Sequence, residues 1–170
     1  MDEKTTGVPK VSILPLNRTI PGQHIITKTL NVILPLIGIT LMLVYEYCNT
    51  SCSFLKGSFL GLDLKWVGII YMAILFSNTV FGGESPVSPV GHVRTIMLSA
   101  AVGVEFFLIG FQVIHHVYCP FCLAFSACVF VLFGINFSSM NRWIMIASVL
   151  AGFLGIAFFF EGQVVPVFDL

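Results

Sequence analysis

The chain has 170 residues, of which 57% are hydrophobic and 9% charged, with a mean hydropathy of +0.98 and a formal net charge of zero. So few charges cannot cover a water-facing surface, which excludes an ordinary soluble domain and makes lipid the solvent. With 8 basic residues balanced by 8 acidic ones there is no basic stripe to hold phosphates, and nucleic acid is not expected as a partner.

Residues 1–29 are polar. Pro9, Pro15, Pro21 and Gly22 interrupt any long helix, and the segment lacks the apolar stretch and cleavage site of a signal peptide, so it reads as a cytoplasmic tail. Residues 30–47 form the first apolar run, reaching roughly 27 Å at about 1.5 Å per residue, close to the hydrocarbon thickness of a bilayer. Further spans are expected at about 66–81, 95–114, 120–137 and 143–160. Pro120 suits the first turn of the fourth span. A polar loop holding Lys56, Asp63 and Lys65 separates spans one and two, a Gly/Pro-rich loop runs from Gly82 to Gly91, and residues 161–170 make a short tail. The expected architecture is an all-α integral membrane protein, a four-helix bundle plus a fifth transmembrane helix filling residues 30–160.

Five spans place the termini on opposite sides. Lys4, Lys10, Arg18, Lys28, Arg94 and Arg142 fall on the N-terminal side and only Lys56 and Lys65 on the other, so the positive-inside rule makes the N-terminus cytoplasmic. The loop carrying Cys48 and Cys52, the Cys119–Cys122 end and the C-terminal tail then share the outer face of a cell membrane, where disulfides persist. Tyr45, Tyr47, Trp66 and Tyr118 fall near the same level, as an interfacial aromatic belt would.

Cys119-Pro120-Phe121-Cys122 opens the fourth span. Cysteines three apart at a helix start share one face, and the N-terminal N–H groups there stabilise a thiolate. The four paired cysteines admit three readings: static disulfides, a four-cysteine zinc site, or a redox relay. Static bridges across so few residues would barely constrain the unfolded chain. Zinc has the right ligand count, but outward-facing, closely spaced pairs favour redox exchange, with no metal site. Cys48 and Cys52 would be about 5–6 Å apart at Cβ on a helix, too far for a bond that needs about 3.8 Å, so that pair is expected beyond the end of helix one. Asn49, Thr50 and Ser51 favour such a turn.

From Leu30 to about Phe137 the order of these features resembles the vitamin K epoxide reductase family, and most of all its bacterial quinone-linked branch. The resemblance rests on a loop cysteine pair after helix one, on Ser58, Gly61, Gly68 and Tyr71 following Cys52, and above all on Cys119-Pro120-Phe121-Cys122-Leu123-Ala124-Phe125-Ser126. It implies a quinone-dependent thiol–disulfide oxidoreductase that uses ubiquinone or menaquinone and reoxidises a separate thioredoxin-like protein of the periplasm or another extracytoplasmic space. By the same resemblance Cys48 meets the partner, Cys52 passes electrons to Cys119, and Cys122 faces the quinone. Ser126, one helical turn beyond Cys122, is a candidate to hydrogen-bond a quinone oxygen, with Phe121 and Phe125 as apolar walls and Ser58 as a matching loop serine; the plainer reading has Ser126 bond its own helix backbone and the phenylalanines face lipid or core, and for Phe125 the plainer reading is favoured. The rival reading is a non-enzymatic membrane protein whose four cysteines hold zinc or structural disulfides.

The remaining polar and sulfur residues have plainer expectations. Glu105, mid-span, lies roughly 20 Å along its helix from Cys119, so it is expected to be protonated and to bond a neighbouring helix, away from the sulfur chemistry. His115 and His116 adjoin the cysteines as candidates to tune a thiolate or supply protons. Cys128 reads as packing. Gly103, Gly110, Gly152 and Gly155 suggest close helix contacts.

Overall fold

The computed structural model describes residues 21–47, 55–81 and 89–164. Five helices follow one another: α1 (Pro21–Tyr47), α2 (Leu64–Phe81), α3 (Pro89–Ile114), α4 (Pro120–Asn136) and α5 (Arg142–Phe159). α1, α2, α3 and α5 are each long and apolar enough to cross a membrane, compatible with a multi-pass membrane protein; α4 is a shorter apolar helix of 17 residues.

Two of the helices start earlier than expected, and for one reason. Pro21 and Pro89 are the first residues of α1 and α3, although each reads as a helix breaker in a polar segment. The first helical position needs no N–H and suits the fixed φ of proline, so the rule that applies to Pro120 applies to them as well. At α5 the start is set by Asn141, whose side-chain oxygen accepts the Trp143 N–H at 3.0 Å.

The chain is not wholly α-helical. β1 (Leu55–Phe59), β2 (Leu62–Asp63) and β3 (Phe160–Val164) form an antiparallel sheet of order β2-β1-β3, where the sequence reading has an irregular loop and a C-terminal tail. Leu60 and Gly61, at φ 54° and 79°, make a two-residue turn with both residues left-handed, the geometry that matches strand twist in a tight hairpin. β3 continues directly from α5 and pairs along the whole of β1, from Leu55 with Val164 to Phe59 with Phe160. Phe160 also lies edge-on to Phe107 and Phe111, tying the sheet to the C-terminal end of α3.

α3 packs most extensively on α5, while α1 packs on both α2 and α4. At the α3–α5 contact a Cβ on Gly103 would overlap the Val149 carbonyl, and one on Gly152 would overlap the Ala100 carbonyl. Gly110 and Gly155 have open space beside them and do not serve this contact. Lipid tails are as apolar as leucine, so backbone approach and interhelical polar bonds hold such helices together. One such bond joins α1 to α4: the Asn136 amide donates to Asn31 Oδ1 at 2.8 Å and to the Leu132 carbonyl at 2.7 Å. Met72, Leu98, Val129 and Leu132 fill the centre, while Ile70, Phe106, Trp143 and Phe158 point outward as lipid-facing side chains do. α2 and α3 meet only sparsely, and the space between them is the site.

Candidate functional site

The turn from α3 into α4 is built by backbone hydrogen bonds. Val117 N–H returns to the Gln112 carbonyl at 3.1 Å and His116 N–H to the Val113 carbonyl at 3.3 Å, the paired bonds of a Schellman C-cap. Its left-handed position, usually glycine, is His116 at φ 54°. The connection is therefore short, and α4 runs back antiparallel to α3.

Gln112 then positions the first cysteine. Its side chain is buried, and its Oε1 accepts the Cys119 N–H at 3.0 Å. Cys119, only 1% exposed, is the N-cap of α4: its Sγ takes the place of the usual cap oxygen and accepts the Cys122 N–H at 3.4 Å. A negative charge on this sulfur would face the positive end of the helix. The Leu123 N–H closes the first turn on the Cys119 carbonyl at 3.0 Å.

Cys122 is half-buried and lines a cavity of about 660 Å³ between α2 and α3. That is the size of a small-molecule site, and its walls combine many apolar side chains with a few polar ones, the usual make-up of such a site. Phe121 and Phe125 are on the wall; Phe121 lies edge-on to Tyr45 of α1 with ring centroids 6.1 Å apart, and Phe125, also part of the buried core, sits against Gly68. Tyr71 of α2 is on the wall too. Its hydroxyl is buried and has no hydrogen-bond partner among the described residues.

Ser126 bonds its own helix backbone, the plainer of its two expectations, and Glu105 meets its expectation in part. The Ser126 hydroxyl is buried off the cavity wall; it bonds the Glu105 carboxyl and donates to the Cys122 carbonyl at 2.9 Å. Glu105 does bond a neighbouring helix, as expected, but it is not remote from the sulfurs: it lines the same cavity as Cys122. Distance along one helix misleads here, because in an antiparallel hairpin residues equally far from the turn face each other.

Ser58 is in β1, paired in register with Asp63 and Glu161, and is not on the cavity wall. His115 and His116 are exposed and off the wall, His115 resting on the Phe111 ring at 4.3 Å. Cys128 is buried in the apolar core. Cys48 and Cys52 lie outside the described residues, among which no three His, Cys, Asp or Glu side chains are grouped to hold a metal. Gln112, Glu105 and Tyr71 complete the site, and in the sequence their signal is a polar group inside an otherwise apolar span. No family model, curated protein or solved structure matches this chain.

Proposed function

We propose that this is a five-span membrane protein of the vitamin K epoxide reductase type, a quinone-dependent thiol–disulfide oxidoreductase with a cytoplasmic N-terminus. It would reoxidise a separate thioredoxin-like protein at the outer face. The observation that carries the reading is a Cys-x-x-Cys at the start of α4 whose second cysteine lines a largely apolar cavity of about 660 Å³. α4, with 17 residues at about 1.5 Å each, reaches about 26 Å, enough for a fifth span in a slightly thinned bilayer.

The cavity fits a quinone head. Its apolar walls suit a flat ring, and the buried Tyr71 hydroxyl, which has no hydrogen-bond partner among the described residues, is a donor suited to a carbonyl oxygen. A bound quinone would accept two electrons and two protons. The chain supplies the rest: Cys122 presents sulfur at the wall, Cys119 caps the helix beside it, and Gln112 holds the Cys119 backbone. The contact between Tyr45 and Phe121 brings the C-terminal end of α1, three residues before Cys48, alongside the start of α4. This supports an exchange in which a thiolate from the Cys48–Cys52 pair attacks the Cys119 sulfur in line.

The decisive assay supplies purified protein with a reduced thioredoxin-like partner and ubiquinone or menaquinone, following quinone absorbance. Quinone reduction is expected in the wild type and in Cys128→Ala, and is lost in Cys119→Ser and Cys122→Ser. A wild-type protein that leaves the quinone oxidised, or that carries stoichiometric zinc on its cysteines, rejects the reading.

A further inference from the structure

The Ser126 hydroxyl has one proton and two oxygen neighbours, the Glu105 carboxyl and the Cys122 carbonyl. It donates to both, and a neutral carboxyl is the form that burial in a membrane-spanning helix tolerates. Glu105 is 5% exposed and lines the cavity that Cys122 lines. A buried acid thus lies where sulfur chemistry and an apolar ligand would meet, and on another wall stands the Tyr71 hydroxyl, without a partner among the described residues.

We propose that Glu105 is the proton donor of the cavity and Tyr71 the hydrogen-bond donor that orients the ligand, a quinone, against it. The proposal rests on the quinone reading above. In the overall change the Cys119 and Cys122 thiols become a disulfide, releasing two electrons and two protons, and the quinone gains both electrons and both protons. Glu105 delivers one proton to the nearer carbonyl oxygen and is restored by a proton released from the thiols; the second thiol proton ends on the farther oxygen. Ser126 keeps the carboxyl in place by donating to it, so Ser126 is a positioning residue off the cavity wall.

The test compares wild type, Glu105→Gln, Glu105→Asp and Tyr71→Phe by quinone titration of intrinsic fluorescence, by steady-state kinetics and by infrared spectroscopy. Glu105→Gln is expected to bind quinone within about twofold of wild type while kcat falls about 100-fold, the low end for loss of a general acid. Glu105→Asp, which keeps the acid but withdraws it, should recover only in part, to a kcat about tenfold below wild type. Tyr71→Phe should weaken quinone binding about fivefold, as for one hydrogen bond. The wild-type infrared spectrum should show a carboxylic-acid carbonyl band that Glu105→Gln lacks. If the wild type neither binds nor reduces quinone, the functional reading itself falls. If the wild type is active and Glu105→Gln keeps its kcat, or the acid band is absent, the assignment of Glu105 is overturned alone. Should Glu105→Gln fail to fold, Glu105→Asp decides: wild-type kcat in that variant overturns the proposal and a kcat lowered at unchanged quinone affinity supports it.

Discussion

Replacing Gln112 by leucine isolates the bond that anchors the Cys-x-x-Cys. The side chains are alike in size, so packing is nearly conserved, but leucine has no oxygen for the Cys119 N–H that Gln112 accepts at 3.0 Å. Both residues are almost wholly enclosed, at 2% and 1% exposure, so water cannot replace the lost acceptor. A buried N–H left without a partner costs about 1–3 kcal/mol. At about 2–4 °C per kcal/mol for a chain of this size, the unfolding midpoint of purified protein should fall by roughly 2–12 °C. Glutamate at the same position retains an acceptor but adds charge, so Gln112→Leu is the cleaner change. Because Cys119 caps α4 through its own sulfur, loosening its backbone should also slow thiol exchange at that sulfur, measured by quenched reaction with a reduced partner. A Gln112→Leu protein as stable as wild type, with unchanged exchange, would refute the idea that this side chain anchors the pair.

Gly103→Val and Gly152→Val should each abolish close α3–α5 packing and lower the yield of folded protein sharply, since the added atoms overlap backbone carbonyls that cannot swing aside; Gly155→Ala, with open space beside it, should fold normally in the same size-exclusion assay. His116→Gly relieves a left-handed residue at φ 54° and should leave the unfolding midpoint unchanged or raise it, by up to about 1 kcal/mol. A clear drop would mean that the imidazole contributes more than the turn requires. The double variant Cys48→Ala, Cys122→Ala removes both resolving thiols and should accumulate a Cys52–Cys119 disulfide, read by mass spectrometry of a non-reducing digest. Static bridges or a zinc site predict that no such cross-link forms.

Hydrophobic run length was enough to place five apolar helices, because a segment that lies in lipid must be uniformly apolar and close its own backbone hydrogen bonds. The start of α4 was legible for a similar reason: a proline at the first helical position and a cysteine before it are local facts, and the cap they form is local too. The starts of α1 and α3 are local information too, since Pro21 and Pro89 obey the rule that Pro120 obeys.

What the tertiary structure decided is which faces meet. Around an evenly apolar helix, hydropathy does not distinguish the side that touches lipid from the side that touches protein. The pairing of Leu55–Phe59 with Phe160–Val164 joins segments about a hundred residues apart in sequence, and neither segment alternates strongly enough to announce a strand. The sparse contact of α2 with α3 opens the cavity, and the short, antiparallel α3–α4 hairpin carries Glu105 to Ser126 and Gln112 to Cys119. Each of those polar residues is visible in the sequence as a group that lipid would not solvate, but its partner depends on helix rotation and hairpin register, and only the folded chain sets those.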